Sequence, residues 1–292
     1  MDAFEAVDDE IERQDVIIKA AEKWSPQYQK HRDTFKRLLK LEARFERDLR
    51  RYLRDYARRS SAYFNWYEYE RLRYRIHAAG EFEINVLIED GPINNEEGFL
   101  IQVLYTPIEE GVTLGGMAGE YITKREIGVS QTSEYVQDTA KRLVAQLVGK
   151  RVDENGLLVD NPKAKYRITE SIRKDIRQSI ATSLNLGESQ TDAKARVERV
   201  IRNPKRAEII ARTETVNAYQ EGLLTMGRQS GAVGKQWQTV NYTDVCGENA
   251  SQGIIRINDR FVSGHTAPAA HPNCRCALVL IYPEDPRSKV LL

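Results

Sequence analysis

Leu38, Leu41, Phe45, Leu49, Tyr52 and Tyr56 step by three and four residues. That spacing lays one apolar stripe along a helix of about 27–59 and requires a second element to cover it. Arg37, Arg44, Arg47, Arg50, Arg51, Arg54, Arg58 and Arg59 fill much of the remaining surface. A helix is expected before it over 4–23, with Phe4, Val7, Ile11 and Ile18 on one face. Trp24-Ser25-Pro26 separates the two, because proline cannot continue the hydrogen-bond ladder. A third helical stretch is expected over about 61–78, rich in Tyr, Trp and Arg.

Charge is distributed in blocks that the net value of +1 conceals. Residues 1–29 are net −5 and residues 30–80 net +8. Residues 81–120 hold nine acids and no Lys or Arg, and residues 121–292 are net +7. Such blocks make separate surface fields. The basic block suits helix packing with Arg outside, a protein interface, or sequence-independent contact with DNA phosphates. Within it Arg47, Arg50, Arg51, Arg54, Arg58 and Arg59 are the candidate DNA or partner contacts. The acidic block either shields the basic helices or docks on a basic partner. No apolar run reaches the roughly 18 residues of a membrane span, the acidic N-terminus is unlike a signal peptide, and three cysteines are too few for a secreted disulfide framework. A soluble protein made inside the cell is expected.

Residues 83–88 and 99–105 are short, β-branched or apolar, and separated by Gly91-Pro92-Ile93-Asn94-Asn95, which predicts a hairpin. Gly111 to Gly119 reads as a flexible connector. Helical periodicity resumes from Ser133 and again over 170–185. Thr191 or Asp192 is expected to cap a short helix ending near Ile201, and Asn203-Pro204 to open another that closes at Gly231. Strands are expected over 235–240, 253–257 and 277–281. The fold class is therefore α+β: mainly helical, with a β-hairpin insertion and a small β-rich C-terminal module. The expected divisions are a basic, aromatic helical region (1–80), an acidic hairpin and linker (81–129), a domain over 130–283 and a loose tail (284–292).

All three cysteines, Cys246, Cys274 and Cys276, fall in the last fifty residues beside His271. Thiolate and imidazole are the donors zinc prefers, and Cys246, His271, Cys274 and Cys276 would complete a structural tetrahedron. Two readings stay open: structural zinc, or buried thiols. Asn249 stands where a C-x-x-C pair would place a second cysteine, and Cys274 and Cys276 on a regular strand would face opposite sides, so joint ligation needs a bend. Glu214 and Asn217 in the Pro204 helix suggest a hydrogen-bond network against the β region; a catalytic reading would make Glu214 a general base.

Arg212-Thr213-Glu214-Thr215, Asn217, Trp237, Asp244-x-Cys246, Gly253 and His271-Pro272-Asn273-Cys274-Arg275-Cys276 occur in one order. Over about 130–283 the chain resembles the phage head-morphogenesis, or minor head protein, family, which includes the Mu F-like proteins. Arg212, Glu214, Asn217, Trp237 and Gly253 are its motif residues here. The resemblance implies a minor virion component rather than an enzyme. It would be made in the bacterial host cytoplasm and act in capsid assembly and DNA packaging at the portal vertex or head interior. Its implied partners are the portal protein, other capsid components and packaged double-stranded DNA, with no membrane. Two rival readings remain: a hydrolase or transferase using Glu214 or the Cys/His cluster, and a zinc-stabilised nucleic-acid-binding module.

Overall fold

The computed structural model describes residues 24–74, 84, 87–88, 90–164 and 167–291. The helix expected over 4–23 lies outside the described residues. Eight α-helices and two small antiparallel sheets are present among the described residues, so the α+β class holds. The chain divides into two compact units.

The first unit comprises the described residues up to Glu46, with Tyr105–Leu143 and Glu208–Leu292. It takes the start of α1 (Arg32–Ser60), the end of α3 (Asp90–Thr123), most of α4 (Glu134–Leu147) and most of α7 (Pro204–Gln229). A three-stranded sheet follows, in the order β4-β3-β5, from β3 (Gly234–Gln238), β4 (Ile254–Arg256) and β5 (Ala277–Ile281). Trp24, Tyr28, Leu38 and Leu41 pack with Leu114, Val216 and Tyr219. A second cluster joins Leu223, Leu224 and Met226 of α7 to Trp237, Phe261, Leu278 and the three cysteines. Pro286–Leu291, expected as a loose tail, forms a 3₁₀ turn beside β4.

The expected hairpin over 83–105 and the flexible connector at Gly111–Gly119 are both corrected. Residues 90–123 form one 34-residue helix, α3. Gly111, Gly115 and Gly119 recur every fourth residue and so share a face. That face meets Ala218, Tyr219 and Leu223 of α7. A methyl group on Gly115 would fall 1.8 Å from the Tyr219 carbonyl oxygen, and one on Gly222 would fall 2.0 Å from that of Val112. The glycines let two backbones touch, and tertiary packing overrides their poor helix propensity. The two-stranded hairpin lies later, between β1 (Lys150–Val152) and β2 (Leu158–Asp160). Asp153 accepts the N–H groups of Asn155 (3.0 Å) and Leu157 (2.8 Å) through Oδ1, and Gly156 adopts φ +77°.

The second unit comprises Arg47–Leu104 and Val144–Ala207. It holds the rest of α1, the short α2 (Trp66–Arg73), α5 (Ile168–Asn185) and α6 (Gln190–Ile201). α5 packs on α6. Ile172, Ile176, Ile180 and Leu184 of α5 and Ala193, Val197 and Ile201 of α6 are all buried. Ser189, not Thr191 or Asp192, caps α6 by accepting the Asp192 N–H (3.2 Å). Glu96 is buried and accepts from Arg59 through both oxygens (2.7 and 2.8 Å) and from the Tyr63 hydroxyl (2.5 Å).

Candidate metal centre

Cys246 stands near the start of α8 (Val245–Ser251). Asp244 caps that helix, its Oδ1 accepting the Cys246 N–H at 2.9 Å. Gly247 is required there, since a Cβ would lie 2.3 Å from the Tyr242 carbonyl oxygen. The second half of the centre comes from the turn before β5. Asn273 adopts φ +61°, and the Cys274 N–H returns to the His271 carbonyl (3.3 Å). Cys274 and Cys276 thus precede the regular strand, which begins at Ala277. The bend that joint ligation needs is present.

Cys246, Cys274 and Cys276 are all buried. Donor atoms of Cys246, His271 and Cys274 lie within 4.8 Å of one another. The Cys246 and Cys274 sulfurs are 3.7 Å apart. A tetrahedron with Zn–S bonds of about 2.3 Å has edges of about 3.8 Å, so this separation fits the metal. The Cys276 thiol interacts with both other thiols and lies 3.4 Å from Thr239 Oγ1. His271 Nδ1 donates to the Pro272 carbonyl (2.8 Å), and its Nε2 lies 3.5 Å from Asp244 Oδ2. Hydrogen bonds from the Cys246 and Cys276 thiols hold Cys274 well below the ordinary thiol range, and the bond to Cys274 pushes Cys246 up. Cys246, His271 and Cys274 thus bring together three donors of the kind zinc prefers, and Cys276, beside the two thiols, is not part of that group of three.

The other motif residues are built into the surrounding frame. Arg212 pairs with Glu208 (3.2 Å) and with the buried carboxylate of Glu42 (3.5 Å). Glu42 also pairs with Arg275 (2.9 Å), whose guanidinium lies 4.1 Å from the Trp24 ring centroid. Gln220 accepts the Leu278 N–H (2.8 Å) and donates to the Tyr28 hydroxyl (2.8 Å), which donates to the Cys276 carbonyl (2.9 Å). Asn273 N–H donates to Thr213 Oγ1 (3.2 Å). Trp237 packs edge-on to Phe261 at 5.0 Å between centroids. Gly253, at φ +71°, follows the end of α8. Asn249 accepts the Ser263 N–H (3.2 Å) and Gln252 the Val262 N–H (2.6 Å), so both pin the loop after β4.

Glu42, Tyr28 and Gln220 were not singled out in the sequence. Glu42 had a signal: it is a charge on the face of Leu38, Phe45 and Leu49.

Glu214 keeps some exposure as a residue, yet protein encloses its carboxyl and pushes its pKa up to about 7. Asn217 Nδ2 donates to it at 3.2 Å and opposes that rise. A carboxyl whose folded-state pKa is raised favours folding when protonated. That advantage is complete below the unfolded pKa and is lost as pH rises through about 7. Glu214→Gln is therefore expected to stabilise the protein by about 1–3 kcal/mol at pH 8 and to change little at pH 4. Urea unfolding at both pH values checks this; an equal effect at both would remove burial of the charge as the cause.

Residues 174–279 match the family model described as Phage Mu protein F like protein. Over that segment the chain is similar to the Mu F-like proteins. The match contains Arg212, Glu214, Asn217, Trp237, Gly253 and all four candidate ligands. No curated protein and no solved structure matches the chain.

The candidate arginines lie outside the Mu F-like segment, on α1. Arg47, Arg51, Arg54 and Arg58 form a stripe stepping by four, three and four, and Arg50 adjoins it. The side chains of Arg51, Arg54 and Arg58 are 62%, 54% and 72% exposed. Asp48 and Asp55 lie beside them and offset part of the charge. Arg59 departs from the group, because it is bound to Glu96. No helix among the described residues is long and apolar enough to cross a membrane.

Proposed function

We propose that the chain is a minor structural component of a phage head, acting in capsid assembly at the portal vertex or on the head interior. The match of residues 174–279 to the Mu F-like family carries this reading. Its motif residues support it by their use: Arg212, Trp237 and Arg275 hold the module together through ion pairs and ring packing, joined by the hydrogen bonds of Gln220. The module is clipped by one structural zinc on Cys246, His271, Cys274 and Cys276, which would join α8 to the start of β5 across a 28-residue separation. Made in the host cytoplasm, the protein enters the virion with its portal partner. Co-expression with the portal protein of the same phage tests this. A stable complex in size-exclusion chromatography is expected, and two separate peaks would defeat the portal assignment.

The exposed arginine stripe of α1 suits the phosphates of packaged duplex DNA. Arg51→Gln, Arg54→Gln and Arg58→Gln together are expected to weaken binding to random-sequence duplex. They should also flatten log K against log salt by about 3, near 0.9 per phosphate contact. An unchanged slope in a fluorescence titration would assign the stripe to another partner.

A further inference from the structure

Cys246, Cys274 and Cys276 are all free thiols. The Cys246 and Cys274 sulfurs are in contact at 3.7 Å, although the two residues are 28 apart in the chain. Each backbone is held where it stands. Asp244 accepts the Cys246 N–H (2.9 Å), and the Cys274 N–H returns to the His271 carbonyl (3.3 Å). Cys276 offers Cys274 a second partner, with Arg275 alone between them. That stretch is anchored on both sides. The Arg275 carbonyl accepts the Ser25 N–H (3.2 Å), the Arg275 guanidinium pairs with Glu42 (2.9 Å), and the Cys276 carbonyl accepts the Tyr28 hydroxyl (2.9 Å). A bond from Cys274 to Cys276 would have to disturb these anchors, whereas one from Cys274 to Cys246 leaves them in place.

A disulfide holds its sulfurs about 2.05 Å apart, so a pair already at 3.7 Å has about 1.6 Å to close. The oxidation needs a two-electron acceptor small enough to enter. Hydrogen peroxide is one, and the cluster lies just beneath the surface: Pro272 and Asn273 are exposed and His271 is half-buried. One thiol takes an oxygen from the peroxide to become a sulfenic acid, releasing the first water. The sulfur of the other thiol then displaces the hydroxyl. The hydroxyl leaves with that thiol's proton as the second water, and the S–S bond forms. Two thiols have then lost two electrons and two protons, and the peroxide O–O bond has been reduced to two waters. Sulfurs joined in this way no longer serve as thiolate ligands.

We propose that Cys246 and Cys274 are a peroxide-oxidised pair, whose disulfide replaces a bound metal as the clip between α8 and the start of β5. The exchange of metal for bond rests on the zinc reading. The disulfide itself rests on neither that reading nor the head-protein one.

Hydrogen peroxide added to the native full-length protein after chelator treatment tests the pair. Free thiols are then alkylated, and the chain is digested with trypsin without reductant. Cleavage after Lys235, Arg256, Arg260, Arg275 and Arg287 places the three cysteines in three separate peptides. The expected product is peptide 236–256 joined to peptide 261–275, with the Cys276 peptide alkylated and the intact chain lighter by two hydrogens. Cys276→Ser should give the same joined pair, and the oxidised parent should melt roughly 5–10 °C above its reduced, metal-free form. Joining of the Cys276 peptide to either partner overturns the pairing. So does the absence of any joined peptide, whether the cysteines stay reduced or carry oxygen. Zinc added before the peroxide should slow joining about tenfold or more, because ligation occupies both sulfurs. An equal rate with and without zinc overturns the exchange of metal for bond.

Discussion

Gly115→Ala is expected to lower the stability of the protein by about 3 kcal/mol or more. The added methyl would lie 1.8 Å from the Tyr219 carbonyl oxygen, and backbone has no rotamer by which to retreat. α3 and α7 must separate, and the packing of Leu114, Val216 and Tyr219 loosens with them. Gly98→Ala on the same helix is the control. Nothing lies within 4 Å of its added methyl, so the change should be neutral or stabilise by up to about 1 kcal/mol. Denaturant unfolding of the two variants separates close approach from helix propensity. Comparable losses would rule out a glycine seam.

Cys274→Ser is expected to abolish stoichiometric zinc and to cost about 3–5 kcal/mol of stability. That is less than the roughly 10–16 kcal/mol by which zinc binds isolated finger peptides, because Leu224, Trp237, Phe261 and Leu278 still form a core. Elemental analysis should find about one zinc per parent chain, and strong chelators should lower the thermal midpoint of the parent but not of the variant. Asn249→Ala should leave metal content unchanged, since Asn249 serves the loop at Ser263. A metal-free parent would return Cys246, Cys274 and Cys276 to the alternative of buried thiols.

The two ends of α7 were legible as local chemistry, because Asn203-Pro204 opens the helix and Gly231, at φ +87°, follows its close. The strands around Trp237, Ile255 and Leu278 were legible for a similar reason, being short apolar runs between turn residues. α3 was not. Its Gly and β-branched residues favour other conformations, and they become helical only against Ala218 and Tyr219, a hundred residues onward. The grouping of Cys246, His271 and Cys274 was legible from residue type. The Asn273 bend was not, because a positive φ at asparagine is a context effect that composition does not announce. Glu42 shows the same limit: a charge in an apolar setting becomes interpretable once its neighbours are known.

Glu42 also bears on what can be inherited or transplanted. It is one carboxylate on α1, outside residues 174–279, yet it answers both Arg212 and Arg275 inside them. A fragment cut to the recognisable segment would bury two arginines beside an empty place and uncover the face that Leu38 and Leu41 protect. The stretch by which ancestry is read is therefore shorter than the stretch that can fold. Any recombination that exchanged the C-terminal half of this chain for another would have to bring a matching acid on the N-terminal helix with it.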